Sequence, residues 1–369
     1  MGAPERILVL VTSLDRGGIE SMIMNYYRKI DRKRWQFDFL VNRSAPQAYE
    51  KEIGELGGRV FRMGGMYPWR YLRYKREFLG FLKAHPEFKI IHSHLEERSY
   101  WPLKLARRAG IAGRICHAHN VYPFEMFDGK SYFREWFRRG LRRTGVATLN
   151  LACSRHAGEW LYGETASYKI VTNAVDFKRL DYSVEARTAL RRELKIGVGT
   201  RVVGFVGRLV TQKNPEFVLR VFAGLENREE WMLIIVGKDG LIKNLKLLAK
   251  ELGIEKSVIF AGEVPDIQRY YAVFDVLLMP SLHEGLGMVA VEAGVAGLPV
   301  LASDKVPREA NVVSNTTFLS LTSPEKWVAT TEDAVKKGRL AVHLTKAVGE
   351  YDICVAVKKL EKIYENSTY

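Results

Sequence analysis

Residues 276–293 have the sequence VLLMPSLHEGLGMVAVEA, in which a short apolar run is followed by a proline, a turn with two glycines and a second apolar stretch. A buried strand, a turn and a helix in this order are typical of a parallel α/β sheet. Ligands bind at the carboxyl ends of parallel strands. The turn at residues 281–287 is therefore predicted to line a binding site.

Two glutamates, Glu284 and Glu292, lie eight positions apart in this segment, the first in the turn and the second inside the helix. Gly285 and Gly287 allow a ligand to approach the backbone closely. The start of the helix offers N–H groups and a partial positive charge that suit a phosphate, and Glu292 suits the hydroxyls of a ribose. The alternative is that Glu284 caps a helix and Glu292 lies on a solvated face. The strand, the glycines and Pro280 favour the binding site.

A second strand ends in the same way, in residues 204–214, GFVGRLVTQKN. Arg208 offers a planar fork of donors and Lys213 a mobile point charge. Together they suit a diphosphate whose negative charge grows as its bond to carbon breaks. Surface cations are more often solvated, but a position at a strand end opposite the Glu284 turn favours a functional role.

The alternation of apolar strands and amphipathic helices continues outward from these segments and restarts after residues 181–199. It predicts an α/β fold of two Rossmann-like domains that face each other across a cleft, with domains at 1–182 and 183–350 and a last helix within 351–369 that crosses back to the first domain or packs on the second. The predicted strands are residues 7–11, 37–41, 59–61, 90–92, 114–117, 149–152, 202–206, 231–236, 258–260, 276–279 and 300–302.

The first domain contains one glycine turn, residues 12–20, TSLDRGGIE, between a strand and a helix. It lacks the full GxGxxG spacing, so a dinucleotide site is not supported. Gly17 and Gly18 are compatible with close approach of a phosphate or an acceptor.

Four histidines lie at strand ends, His92 with His94 and His117 with His119. No Asp, Glu or Cys set at metal-ligand spacing accompanies them, and the chain has no DxD pair, so no divalent metal is expected. His119 precedes Pro123 at the mouth of a strand, where it is placed to meet a sugar. The alternative is a structural histidine.

The charge of the chain is uneven. The first 180 residues carry 32 Lys and Arg against 18 Asp and Glu, and the remainder carries 25 against 24. Two basic segments contain many aromatic residues, 67–76 (YPWRYLRYKR) and 132–143 (YFREWFRRGLRR). Aromatic rings beside Arg and Lys predict an anionic membrane surface as partner. Nucleic acid is disfavoured because no nucleic-acid motif is present, and core aromatics with solvated arginines are the remaining alternative.

Three widely spaced cysteines exclude a disulfide framework and a CxxC metal site. No apolar run approaches the roughly 18 to 20 residues of a membrane-spanning helix. The apolar run at residues 7–11 is too short for a secretory signal. These features predict a cytoplasmic protein, peripheral on the inner face of the membrane.

Together, these segments resemble the retaining glycosyltransferases of family GT4, which have the GT-B fold. The resemblance covers nearly the whole chain, and its most specific motif is the E-x7-E pair within P-S-x-x-E-G. Residues 297–309, GLPVLASDKVPRE, are similar to enzymes of bacterial capsule and exopolysaccharide assembly. Several relatives have an aromatic residue or a proline where this chain has Leu286-Gly287, which bears on the identity of the sugar. The other matching positions are Gly17-Gly18, His119, 173–176, 207–209, 213–214 and 275–281.

The resemblance implies a metal-independent transferase that needs no cofactor besides its donor, a UDP- or GDP-sugar. It implies a saccharide acceptor in cell-surface polysaccharide synthesis, and the basic aromatic segments indicate a polyprenyl-diphosphate-linked saccharide at the inner membrane surface. By the same resemblance, Arg208 and Lys213 bind the diphosphate and Glu292 binds the ribose. Glu284 contacts the sugar hydroxyls, and His119 lies near the reacting carbon. The residues that border the phosphate or donor site are Gly17, Gly18, Gly207, Gly285, Leu286 and Gly287.

Other functions remain possible on these residues. A GT-B-like nucleotide-sugar epimerase or phosphorylase shares the fold and the diphosphate site. A non-enzymatic nucleotide- or lipid-binding module needs the cations and not the glutamates. A nicotinamide dehydrogenase is disfavoured by the incomplete glycine fingerprint.

Overall fold

The computed structural model describes residues 3–65, 67–120, 131–238, 240–342 and 346–367. The chain divides into two compact units, one formed by residues 1–175 and 350–369 and the other by residues 176–349. Each unit contains one parallel sheet with helices, so the expected α/β architecture of two Rossmann-like domains is confirmed.

The first unit has a seven-stranded sheet with the order β3-β2-β1-β4-β5-β6-β7, in which all neighbouring strands are parallel. The interior strand β1 buries all five residues of its apolar run, residues 7–11, as expected for a strand of a parallel sheet. The strands are β1 (Glu5–Val11), β2 (Trp35–Val41), β3 (Val60–Arg62), β4 (Phe88–Ser93), β5 (Gly113–Ala118), β6 (Leu149–Ala152) and β7 (Lys169–Ile170).

Seven α-helices belong to the described part of this unit, and two 3₁₀ turns, Pro68–Arg70 and Glu96–Ser99, precede α3 and α4. The helices are α1 (Gly18–Lys29), α2 (Glu50–Glu55), α3 (Tyr71–Ala84), α4 (Tyr100–Arg108), α5 (Ser131–Thr144), α6 (Arg155–Tyr162) and, after the second unit, α15 (Ile353–Glu365).

The second unit has a six-stranded parallel sheet with the order β10-β9-β8-β11-β12-β13. Its strands are β8 (Arg201–Val206), β9 (Trp231–Val236), β10 (Val258–Gly262), β11 (Val276–Met279), β12 (Val300–Ser303) and β13 (Thr316–Leu319). Its α-helices are α7 (Phe177–Leu180), α8 (Val184–Glu193), α9 (Pro215–Ala223), α10 (Ile242–Glu251), α11 (Ile267–Val273), α12 (Met288–Val295), α13 (Pro324–Lys337) and α14 (Lys346–Gly349).

The C-terminal helix α15 packs on the first unit, where it covers α1 and the sheet. Its Tyr364 is completely buried and contacts Trp35 of β2, with ring centroids 5.6 Å apart. Val175 and Asp352 form a β-bridge at the start of this return. The division between the units falls before the expected 182/183 boundary, because α7 packs against α11 and α12 of the second unit.

Each sheet reverses its strand order once, between β1 and β4 in the first unit and between β8 and β11 in the second. In open parallel sheets the carboxyl edge at such a reversal is the usual ligand site. The turns that follow these four strands contain Gly17, which precedes the first residue of α1, Gly18, and also His94, Arg208 and Glu284. The topology therefore brings the residues chosen from the sequence to two specific edges, one in each unit.

Candidate active site

The turn after β11 is bound to the turn after β8. The backbone N–H of Leu282 donates to the carbonyl of Gln212 at 2.8 Å, and Gln212 Nε2 donates to the carbonyl of His283 at 3.0 Å. Gln212 belongs to the 3₁₀ turn Thr211–Lys213. Two segments that are distant in sequence therefore form one edge of the second sheet.

Lys213 and Glu284 form an ion pair at this edge, with Nζ and Oε1 2.5 Å apart. Their side chains are 18% and 8% exposed, so water screens the pair only weakly. Glu284 does not cap the following helix, since the N-cap of α12 is Gly287. The contact joins two segments that lie 71 residues apart in the sequence.

Gly287 begins α12 in a left-handed conformation, with φ of 93°. A Cβ at this position would lie 3.1 Å from Met279 Cε and 3.2 Å from Val306 Cγ1, so a side chain would be both strained and crowded. Gly285, Leu286 and Gly287 are all buried. The first turn of α12 carries backbone N–H groups that no carbonyl within the helix can accept, and these suit an anion.

Arg208 lies in a turn that is held by close backbone contact between two glycines. Gly237, with φ of 146°, packs so tightly on Gly207 that a Cβ at 237 would overlap the Gly207 carbonyl. The N–H of Leu209 donates to the carbonyl of Lys238 at 2.9 Å. Arg208 itself is exposed at the carboxyl end of β8. Gly237 was missed in the sequence, although it follows an apolar strand directly, as Gly207 does.

Glu292 lies in α12, half-buried, where its carboxylate accepts a hydrogen bond from the Tyr271 hydroxyl at 2.7 Å. Burial raises the pKa of Glu292 to about 7, against the smaller opposing effect of the Tyr271 hydrogen bond. Burial, and to a smaller extent the same carboxylate, raises the pKa of Tyr271 well above its usual value. Glu292 is thus not on a solvated face, and it changes charge near neutral pH.

The glycine turn of the first unit contains a carboxylate. Gly17 is the N-cap of α1, and a Cβ there would meet the side chain of Glu20, which accepts a hydrogen bond from Ser13 Oγ at 2.9 Å. The space beside Gly18 is open. A phosphate at this helix start would lie near the Glu20 carboxylate, so the phosphate role of Gly17 and Gly18 stays a prediction.

The four histidines at the carboxyl ends of β4 and β5 form two hydrogen-bonded rows. His94 Nδ1 is 2.8 Å from His119 Nε2, and His92 Nε2 is 3.2 Å from His117 Nδ1. His92 Nδ1 also meets the Tyr364 hydroxyl at 2.8 Å. All four rings are buried, and burial lowers every pKa, to about 3 for His92 and for His119. They are therefore neutral imidazoles at neutral pH. Pro123 lies outside the described residues.

Three of these histidines, His92, His94 and His117, place ring nitrogens within 4.8 Å of one another, which raises the question of a metal site. Zinc–nitrogen bonds of about 2.0 to 2.1 Å require ligand nitrogens no more than about 4.2 Å apart. The planes of the His92 and His117 rings differ by only 3°, and their facing nitrogens already share a hydrogen bond. The arrangement fits hydrogen-bonded imidazoles better than a metal centre. The absence of a metal stays a prediction.

The two basic aromatic segments both pack against α4 of the first unit. Tyr71 of α3 contacts Trp101 of α4, with ring centroids 4.5 Å apart, and Trp101 contacts Trp136 of α5 at 6.0 Å. Tyr74 and Phe137 point into the core. We call the remainder the aromatic face: Tyr67, Trp69, Leu72, Tyr132, Phe133 and Trp136, which are all exposed, with Trp69 at 79% and Tyr132 at 80%.

Arginines flank the aromatic face on both helices. Arg73 pairs with Glu77 on α3, and Arg138 and Arg139 pair with Glu135 on α5. The segments 67–76 and 132–143 together contain more cations than acids. No helix in the described parts of the chain has the length and apolar character needed to cross a bilayer.

Comparison with known proteins agrees with the geometry. Residues 16–179 match the family described as Glycosyltransferase Family 4, and residues 186–349 match Glycosyl transferases group 1. The chain is 31% identical over 374 residues to EpsF of Bacillus subtilis (strain 168), a protein whose name assigns it to the glycosyltransferases; the alignment covers 99% of this chain and 97% of EpsF. The chain therefore belongs to glycosyltransferase family GT4.

One further relative supports the family, and one solved structure supports the fold. A GDP-mannose-dependent alpha-(1-6)-phosphatidylinositol monomannoside mannosyltransferase of Mycolicibacterium smegmatis is 28% identical over 312 residues, which cover 78% of this chain and 77% of that protein. The crystal structure of Anabaena Alr3699/HepE in complex with UDP and glucose has a TM-score of 0.78 at 19% identity, covering 98% of this chain and 100% of that one. The latter similarity establishes the fold, two Rossmann-like domains of the GT-B type.

Proposed function

We propose that this glycosyltransferase moves a sugar from a UDP- or GDP-sugar to a hydroxyl of a saccharide or polyprenyl-diphosphate-linked acceptor. The transfer retains the configuration of the anomeric carbon and serves cell-surface polysaccharide synthesis. The observation that carries the proposal is the ion pair of Lys213 and Glu284 at the strand-order reversal of the second sheet. It lies beside the start of α12, where backbone N–H groups suit a phosphate.

Each residue of this edge has a defined part in the proposed reaction. The bond between the anomeric carbon and the diphosphate oxygen breaks, and charge accumulates on the diphosphate. Arg208 and Lys213 stabilise that charge, together with the first turn of α12. The acceptor oxygen bonds to the anomeric carbon on the same face, and its proton passes to the departing phosphate oxygen. No step requires a metal or a further cofactor.

The names of related proteins support a nucleotide-sugar donor without deciding which one. Alr3699/HepE was crystallised with UDP-glucose, and the Mycolicibacterium smegmatis mannosyltransferase is named as GDP-mannose-dependent. Both donors contain the diphosphate and the ribose that Arg208, Lys213 and Glu292 are proposed to bind. The similarity to EpsF over the full chain supports glycosyl transfer, and the polysaccharide role rests on the resemblance of residues 297–309.

The proposal is tested first by thermal unfolding of the protein with UDP, GDP, ADP and CMP. A nucleotide at 100 times its Kd adds about 2.7 kcal/mol to the free energy of unfolding, so the correct base should be recognisable. The matching sugar nucleotide, labelled in the sugar, is then incubated with candidate acceptors. Label joined to an acceptor supports a transferase. An altered free sugar nucleotide indicates an epimerase, phosphate-dependent release a phosphorylase, and binding with no chemistry a binding module.

Affinity for the sugar nucleotide is expected to rise with pH because Glu292 binds ribose hydroxyls best as a carboxylate. With a pKa of about 7, Glu292 is mostly protonated at about pH 6 and mostly ionised at about pH 8. If only the carboxylate binds ribose, the Kd should fall about tenfold over this range. Calorimetry with the intact sugar nucleotide measures this effect, since its diphosphate does not titrate there.

The matched control is Glu292→Gln, which keeps the shape but cannot ionise and should show a flat affinity profile. The raised pKa of Glu292 also determines how this group changes the free energy of unfolding with pH. The folded protein holds a proton that the unfolded chain releases between about pH 4.5 and pH 7, so this contribution is present at low pH and is lost as the pH rises through about 7. If the affinity for the sugar nucleotide depends equally on pH in the wild type and in Glu292→Gln, Glu292 does not bind the ribose.

The aromatic face supports a lipid-linked acceptor and a peripheral position on an anionic membrane. Rings at headgroup depth and cations near anionic lipid, at about 1 kcal/mol each, together provide reversible binding. We expect the protein to float with vesicles that contain anionic lipid. With neutral vesicles or at high salt, it should not float with the vesicles. Equal flotation with anionic and with neutral vesicles would contradict the proposal that the aromatic face binds anionic lipid.

Single substitutions locate the contact. Leu72→Ser removes an apolar side chain that is 78% exposed on the aromatic face, and it should weaken flotation several-fold. Leu247→Ser is the matched control, since Leu247 is 62% exposed on α10 of the second unit. It should leave flotation unchanged.

A further inference from the structure

Gln212 holds the turn after β11 with its main chain and with its side chain. Its main-chain carbonyl accepts a hydrogen bond from the Leu282 N–H at 2.8 Å, and its side-chain Nε2 donates to the His283 carbonyl at 3.0 Å. Gln212 is half-buried and directly precedes Lys213, and His283 directly precedes Glu284. Each member of the ion pair therefore follows a residue that takes part in this contact.

The segment that contains Gln212 is fixed to the second unit by its own contacts. The Lys213 N–H donates to the Val210 carbonyl and the Asn214 N–H donates to the Thr211 carbonyl, both at 3.0 Å. Helix α9 follows directly and buries its apolar residues in the core of this unit. The main chain at Gln212 is therefore held in place independently of the turn after β11.

The turn after β11 is anchored at both ends and depends on hydrogen bonds in between. At its start, the Ser281 carbonyl accepts a hydrogen bond from Ser303 Oγ, and towards its end Leu286 is buried. The Leu282 side chain is 40% exposed, so burial does not hold this part of the turn. Between the two anchors, the contacts with Gln212 locate the main chain.

The chemistry of the side chain explains why glutamine suits this position. The His283 carbonyl requires a hydrogen-bond donor, which an ionised glutamate cannot supply. A lysine could donate, but a second cation next to Lys213 in the chain would compete with it for the Glu284 carboxylate. The neutral amide of Gln212 donates without disturbing the ion pair.

We propose that Gln212 is a positioning residue. By holding residues 282 and 283, it places the Glu284 carboxylate where it pairs with Lys213 and faces the sugar of the sugar nucleotide. The contact of Glu284 with the sugar rests on the proposed function, whereas the placement of the ion pair does not. Gln212 acts through Glu284 and is not itself a contact of the sugar.

Gln212→Met keeps the approximate length of the side chain and removes the hydrogen bond to the His283 carbonyl. At saturating sugar nucleotide its kcat should fall about 10- to 100-fold, because a small displacement of a catalytic group is costly. The Kd of the free nucleotide should change little, since Arg208 and the first turn of α12 remain. The measurements are steady-state transfer and calorimetry.

Gln212→Glu tests the donated hydrogen bond through pH. An ionised carboxylate cannot donate to the His283 carbonyl, whereas the protonated form has an O–H that can. The kcat of this variant relative to the wild type should be low at about pH 8 and should recover as the pH falls to about 5, since a glutamate that faces a carbonyl oxygen keeps its proton above its usual pKa of about 4.3. Gln268→Glu makes the same exchange at a half-buried position of α11, and its relative kcat should not change with pH.

A cycle of variants tests the placement of the ion pair without measuring transfer. The coupling between Lys213 and Glu284 in the free energy of unfolding is obtained from Lys213→Met, Glu284→Gln and the double variant, first in the wild type and then in Gln212→Met. We expect the coupling to fall to about half or less in Gln212→Met. If Gln212 had only a structural role, all four proteins would lose the same stability and the coupling would not change.

The outcomes distinguish this inference from the proposed function. Transfer by the wild type, with kcat unchanged in Gln212→Met, rejects the positioning role and leaves the function intact. A wild type without transfer rejects the proposed function, and the coupling still decides the inference, which an unchanged coupling overturns. If a variant of the cycle does not fold, the relative kcat of Gln212→Glu decides instead: recovery at low pH supports the inference, and a constant value rejects it.

Discussion

Replacing Arg208 by alanine is expected to lower kcat about 10²- to 10³-fold, the usual loss when one preorganised donor to developing charge is removed. Arg208 is exposed at the carboxyl end of β8, in a turn held by the contact of Gly237 with Gly207. Its position is therefore fixed by the backbone while its guanidinium remains available to a ligand. The measurement is steady-state transfer with the donor identified by the nucleotide screen.

Two control variants separate charge from geometry. Arg208→Lys keeps the charge and loses the planar fork, so its kcat should lie between those of the wild type and Arg208→Ala. Arg228→Ala removes an exposed arginine from the 3₁₀ turn at the opposite, amino end of β9, and should leave kcat unchanged. If Arg208→Ala retains kcat within a few-fold, Arg208 does not stabilise the diphosphate.

The sequence predicted most of the fold because the strands of a parallel sheet are continuous apolar runs. Strands β6, β9 and β11 have the predicted ends, and the other predicted strands differ by one or two residues at one end or at both. Strands β7 and β13 were missed. β7 has two exposed residues, and β13, Thr316–Leu319, is only partly buried at the edge of its sheet. Neither strand contains the continuous apolar run by which the other strands were predicted.

The candidate site was predicted in its location and not in its contacts. Strand ends place Arg208, Lys213 and Glu284 at one edge, but the sequence contains nothing to show that Lys213 pairs with Glu284. The partner of Glu292 was also hidden, since Tyr271 lies on α11 and its contact depends on helix packing. The same holds for Tyr364, which reaches His92 only because α15 returns to the first unit. Long-range packing of this kind leaves no local signal.

Replacing Lys213 by methionine is expected to lower both stability and activity, for different reasons. The Glu284 carboxylate is 8% exposed and would lose its ion-pair partner, and breaking a buried pair in this way costs about 3 to 5 kcal/mol of unfolding free energy. Transfer should fall strongly because the diphosphate also loses a cation. Denaturant unfolding and transfer kinetics are measured on the same preparations.

The double variant Lys213→Met with Glu284→Gln distinguishes a functional pair from a structural one. With no carboxylate left to compensate, its stability should return to within about 1 to 2 kcal/mol of the wild type, because replacing both partners of a buried pair costs little. Its activity should not return, since both side chains are proposed to contact the donor. Recovery of transfer together with stability would mean that the pair only holds the two turns together. Glu284→Gln alone should still bind nucleotide but lose transfer, because it keeps the cations and loses the carboxylate proposed to contact the sugar.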